Sequence, residues 1–141
     1  LLIRSLELTL QLLELEVPMV LCLNMMDEAQ RKGIQIDVQK LSDLLGIPAI
    51  PTIATTGKGL QELFVEVLKV YEAKKKGKTL KFSRDIEAII DDLGSVLHSE
   101  WPVNEKVPSR FLAIKLLEKD EFFIKEVRGY IHLSKKICIF Q

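Results

Sequence analysis

The sequence predicts an α/β protein, a partial parallel sheet with crossover helices, followed by a small all-α domain. Three observations carry this. Met19-Val20-Leu21-Cys22-Leu23 is an unbroken apolar run that stops abruptly at Asn24-Met25-Met26-Asp27, the pattern of a parallel strand covered by helices on both faces. A second short apolar segment, Ile47 to Thr52, follows one helix-period stretch and precedes another. From Ser83 onward only helix-period patterns remain.

The elements follow in order. Ile3, Leu6, Leu10 and Leu13 recur at helical spacing over residues 2 to 15, with Pro18 expected to end that helix. After the first strand, Glu28 to Lys32 is a short polar helix that Gly33 stops. Asp37 is suited to N-cap a helix carrying Val38, Leu41, Leu44 and Leu45, closed by Gly46. Pro48 can open the second strand, since a missing N–H is tolerated there and not in mid-strand. Leu60, Leu63, Phe64, Val67, Leu68 and Tyr71 mark a second amphipathic helix, with these residues as its apolar stripe. Lys74-Lys75-Lys76-Gly77-Lys78 reads as a basic linker, giving expected boundaries of 1–73, 74–82 and 83–141. In the last part Ser83 is expected to cap a helix with Ile86, Ile89, Ile90, Leu93 and Leu97, and Ser109 to cap another through Leu117. Glu118 to Glu121 is a polar stop before a helical start at Phe122 to Val127, while Gly129 to Gln141 breaks the pattern.

Composition narrows the class. Twenty basic residues balance twenty acidic ones, so no overall field draws the chain to nucleic acid. Val17 to Leu23, the longest apolar stretch, is too short to span a bilayer, and Leu1 to Leu15 is too charged for a signal peptide. Cys22 and Cys138 fit reduced thiols in a reducing compartment, with Cys22 expected to be buried. The chain starts at Leu1 inside an amphipathic pattern, and two strands make a poor sheet, so a piece of a longer protein is expected. His98 and His132 lack metal-ligand spacing, and Trp101 reads as a packing anchor.

Chemistry concentrates at the two strand ends, where open α/β sheets place ligands. An Asp27 carboxylate can accept from N1–H and the 2-amino group of guanine, donors that adenine lacks in that geometry. Asn24 can reach N7 of the base and tie neighbouring loops together. Thr52-Ile53-Ala54-Thr55, ahead of Gly57-Lys58-Gly59, can offer a backbone N–H to O6. Each loop alone has a bland reading, a strand-terminal Asn with a capping Asp and an ordinary βα turn. Their occurrence on successive strand ends favours base recognition.

At these residues the chain resembles P-loop GTPases. Asn24-Met25-Met26-Asp27 is similar to their N-K-x-D motif, and Thr52-Ile53-Ala54-Thr55 to their later base-binding loop, usually S-A-K. The Met-Met variant, Leu6 to Glu14, Val17 to Val20, Asp37 to Pro48, Gly57 to Leu60 and Arg110 to Glu118 resemble the ferrous iron transport protein B family. That resemblance implies a GTPase-type domain with GTP or GDP held at Asn24, Met25, Met26, Asp27, Thr52, Ile53, Ala54 and Thr55, Ala54 supplying the backbone donor. It also implies a helical regulatory domain, Mg²⁺ in the intact nucleotide site, and a membrane permease domain as partner on the cytoplasmic side of the inner membrane. Self-association stays open.

Two departures stand out. Met25 replaces the usual Lys, and Ile53 the usual Ser whose hydroxyl would brace the loop, which implies weaker nucleotide affinity. No G-x-x-x-x-G-K-[ST] sequence is present, so the loop that cradles phosphate and supplies the Mg²⁺ hydroxyl is missing and this chain alone is not expected to hydrolyse GTP. The alternatives are a ribosome-assembly or translation-associated GTPase, for which residues 83 to 127 lack the basic face, and a helical interaction module that binds no nucleotide.

Overall fold

The computed structural model describes residues 2–100 and 107–130. Two compact units divide the chain, Leu1–Leu80 and Lys81–Gln141.

In the first unit α1 (Leu2–Leu13) leads to β1 (Leu21–Leu23), then α2 (Met26–Arg31), α3 (Val38–Leu45), β2 (Ala49–Pro51) and α4 (Leu60–Ala73). The strands are parallel, with Leu21 opposite Ala49, Cys22 opposite Ile50 and Leu23 opposite Pro51. Pro48 precedes β2 and contributes the group it retains, its carbonyl accepting from the N–H of Leu21 at 2.8 Å. Asp37 caps α3 by accepting from the N–H of Lys40 at 2.9 Å, and Gly46 closes it at φ 67°, where a Cβ would be strained. Leu13, Leu45 and Ile47 form the core, with Leu10, Met19, Leu21 and Leu41 packed on it.

Several expectations change here. The first helix ends at Leu13, and a turn through Glu16 (φ 53°) stops it before Pro18 is reached. β1 is three residues long and alternates, Leu23 being buried and Cys22 exposed. Pleating puts neighbouring side chains on opposite faces, and only the Leu23 face is covered among the described residues. The continuous apolar run therefore does not give a strand covered on both faces, nor a buried Cys22. On α4 the buried side chain is Val70, whereas Phe64, Leu68 and Tyr71 stand 61–76 % exposed. Lys76 pairs with Glu16 at 2.8 Å, and the N–H of Lys78 bonds the Leu45 carbonyl.

The second unit holds α5 (Arg84–Glu100), α6 (Ser109–Leu117) and α7 (Glu121–Tyr130) around Ile90, Leu97, Leu112, Ala113 and Val127. Ser109 is the first helical residue of α6 and makes no capping bond; Pro108 precedes the helix with its fixed φ. Asp120, within the expected polar stop, caps α7 by accepting from the N–H groups of Phe122 and Phe123. Arg110 donates to both carboxylate oxygens of Glu87, at 2.7 and 2.9 Å. That guanidinium, with the N–H of Phe82, lowers the Glu87 carboxyl from 4.5 to about 2. The expectations for Trp101, His132, Cys138 and the tail from residue 131 lie outside the described residues.

Candidate functional site

The two strand-end loops are stitched together by short bonds. From the last residue of β1, the Leu23 carbonyl accepts from the N–H of Thr52 at 2.8 Å, and the Thr52 carbonyl accepts from the N–H of Met26 at 3.3 Å. Parallel pairing thus extends past β2 and holds the Asn24 and Thr52 segments side by side. Between them Met25 takes the left-handed conformation, φ 62° and ψ 36°, unusual for a long side chain. One residue there turns the chain from strand into helix. Consequently Asn24 stays at the strand end while Asp27 enters the first turn of α2, which begins at Met26, earlier than the Glu28 start expected from sequence.

Asn24 is the hub. Its Oδ1 accepts from the N–H of Ala54 at 3.1 Å and from the Thr52 hydroxyl at 3.4 Å. Its Nδ2 has no partner among the described residues, so a donor faces outward from an exposed side chain. Thr52 is 1 % exposed and faces inward, with its hydroxyl also 3.2 Å from the Cys22 sulfur. The Asp27 side chain is 43 % exposed, and one oxygen pairs with Arg31 at 3.2 Å on the next turn of the helix. Exposed pairs of this kind contribute about 0.3–0.5 kcal/mol, so the carboxylate is readily recruited by a ligand.

The second loop is closed by backbone. The N–H of Ile53 donates to the Lys58 carbonyl at 2.9 Å, and the Ile53 carbonyl accepts from the Thr56 N–H at 3.1 Å and its hydroxyl at 3.2 Å. Bracing that a Ser hydroxyl at position 53 would give is thus supplied from Lys58 and Thr56. At the loop's end Gly59 has φ 79°, and a Cβ there would overlap the Pro51 carbonyl oxygen. Only glycine lets the chain turn this tightly over the strand end. The Ala54 N–H is engaged by Asn24, while that of Thr55 has no acceptor among the described residues.

So the sequence-predicted residues do converge. Asn24, Thr52 and Ala54 share bonds, Met25 and Asp27 flank them, Ile53 and Thr55 continue the facing loop, and Met26 bonds it through its N–H. A cleft of about 390 Å³ adjoins them, lined by Met26, Asp27, Gln30, Ile53 and Lys58 among others; Asn24 and Ala54 stand outside it. Cys22 was missed as a member of the network, because an apolar run reads as strand interior and conceals which face each residue takes. In the second unit, a groove with His98 and Asp91 includes Arg110, already committed to Glu87, and no metal-binding group of three occurs among the described residues.

Two parallel strands joined through helices, with paired loops at their carboxyl ends, followed by a separate helical unit, define a partial GTPase-type α/β domain with a helical domain after it. Residues 1–67 match the family described as Ferrous iron transport protein B, and residues 82–138 match the FeoB cytosolic helical domain. The chain belongs to the ferrous iron transport protein B family. A curated relative, the Fe(2+) transport protein A/Fe(2+) transporter FeoB fusion protein of Porphyromonas gingivalis, is 38% identical over 140 residues, 94% of this chain. This chain spans 17% of that relative's length. Among solved structures, the cytosolic domain of the T. maritima FeoB iron transporter in apo form aligns at TM-score 0.77 and 30% identity, over 90% of this chain and 49% of that one. An S. thermophilus NFeoB mutant bound to GMPPNP aligns at 0.76 and 31%, over 86% and 46%. These matches favour the iron-transporter reading over a ribosome-associated GTPase.

Proposed function

We propose that this chain is the guanine-selecting and regulatory part of the cytosolic region of a ferrous iron transporter. The observation that carries it is the pairing of the two loops at Asn24: an outward Nδ2, an accessible Asp27 carboxylate and a Thr55 N–H that has no acceptor among the described residues. Those three groups match the acceptor N7, the donor edge N1–H and N2–H, and the acceptor O6 of guanine. Asn24 and Asp27 choose the base, with O6 taken by a backbone N–H of the Ala54–Thr55 turn. Met25, 50 % exposed, offers its thioether and methylenes to the ring face. GTP or GDP is the cofactor of the whole domain. Phosphate and Mg²⁺ are held by residues other than these, since the chain has no phosphate-binding glycine loop.

In this reading residues 1–73 are the base-binding part, 74–82 connect, and 83–141 form the helical regulatory domain. Nucleotide state is passed to a membrane permease domain of the same protein, on the cytoplasmic side of the inner membrane, and regulates Fe(II) uptake. No helix among the described residues is long and apolar enough to cross a membrane. Titration of the 141-residue chain with GMP and with AMP, followed by amide NMR, tests the base preference. GMP is expected to move the Asp27 and Thr55 amides with a Kd near about 1 mM, the range a few base contacts reach. Equal response to AMP would refute the proposal.

A further inference from the structure

The orientation of the Asn24 carboxamide is set from inside the protein. A backbone N–H needs an acceptor, and the carboxamide's acceptor is its oxygen, so the 3.1 Å contact from Ala54 fixes which end of the amide is Oδ1. The Thr52 hydroxyl lies 3.4 Å from that same oxygen and 3.2 Å from the Cys22 sulfur. A hydroxyl has one proton. When Thr52 gives it to Asn24, its oxygen accepts from the Cys22 S–H, and the bonds run in one direction from thiol to hydroxyl to carboxamide. Oδ1 then takes two internal donors, and Nδ2 is left to face outward. Thr52 is only 1 % exposed, and its hydroxyl meets Asn24 and Cys22.

We infer that Thr52 is a positioning residue for purine recognition, its buried hydroxyl, backed by the Cys22 thiol, locking the Asn24 amide so that Nδ2 donates to the ring nitrogen N7. The inference rests on the guanine reading above. Without the hydroxyl, the amide has one internal donor instead of two, and rotation lets Oδ1 face the purine acceptor for part of the time. A neutral hydrogen bond of this kind corresponds to roughly a three- to tenfold change in affinity.

The test compares GMP with 7-deaza-GMP, which lacks the N7 acceptor, on the full chain and on Thr52→Val, Thr52→Ala and Thr52→Ser. The unsubstituted chain and Thr52→Ser are expected to prefer GMP by roughly three- to tenfold, and the Val and Ala variants to lose that preference. With no nucleotide present, the Ala54 amide should exchange faster in Val and Ala, while amides of the α3 core keep their protection. Two hydroxyl-free variants of different size guard against a packing effect in either one. Retention of the N7 preference in Val or Ala would overturn the inference, leaving guanine selection intact. Absence of that preference in the unsubstituted chain, with GMP still favoured over AMP, would do the same. Failure to favour GMP over AMP would remove both readings.

Discussion

Replacing Asp27 by Asn removes one acceptor and inserts a donor where guanine also presents a donor. In the proposed geometry the carboxylate accepts from N1–H and N2–H; Asn retains the first bond and sets its own NH₂ against the second. The unsatisfied donor costs about 1–3 kcal/mol. Because the Asp27 side chain is 43 % exposed, water relieves part of that and the lower half applies. At about 1.4 kcal/mol per factor of ten, GMP affinity is expected to fall roughly five- to thirtyfold. Xanthine carries a carbonyl in place of the 2-amino group, so XMP should bind Asp27→Asn better than it binds the unsubstituted chain. The assay is the amide NMR titration, with GMP, XMP and AMP on both proteins. Arg31→Ala is the companion variant: its exposed ion pair with Asp27, at 3.2 Å, is expected to alter GMP affinity by no more than about twofold. If Asp27→Asn weakened GMP and XMP alike, the carboxylate would not be reading the 2-position and the reasoning would fail.

Other outcomes follow from the same structure. Gly59→Ala places a Cβ against the Pro51 carbonyl in a left-handed residue, and chemical unfolding should show a loss of at least about 2 kcal/mol. Gly57→Ala, with open space around it, should cost only its backbone strain of about 1–2 kcal/mol, and an equal loss at both sites would contradict the overlap argument. For Glu87, held down to about 2 by Arg110, the folded state favours the ionised form. Its stabilising contribution is therefore complete above the ordinary value of 4.5 and is lost as pH falls through about 2. Glu87→Gln should flatten the acid dependence of helical circular dichroism across that window; an unchanged acid transition would show that the pair does not contribute.

Much of this was legible in the sequence because short local rules dominated. Asp37 and Gly46 bracket α3 as their chemistry requires, and Asn24 and Asp27 fall at a strand end because polar groups first become tolerable there. What failed were statements about faces. Cys22 sits among apolar neighbours, yet pleating turns it outward, and α4 turns Val70 inward while Phe64 and Tyr71 stand exposed. Periodicity identifies an apolar stripe without saying what covers it. The bracing of the base loops was also hidden. Thr52 appears in sequence as a loop residue that meets the ligand, and only the fold shows its hydroxyl sealed against Asn24 and Cys22. Long-range pairs such as Glu87 with Arg110 or Lys76 with Glu16 join charges that sequence alone assigns to solvent.

The central claim is that Asn24 and Asp27, locked against the Thr52–Thr55 loop, select guanine. The most direct measurement is the paired titration of the 141-residue chain with GMP and AMP, read at the backbone amides of Asp27, Ala54 and Thr55. Saturable shifts at these residues with GMP, and none with AMP, are the expected result. Shifts of equal size with both nucleotides, or GMP shifts confined to the helices of residues 84–130, would contradict it.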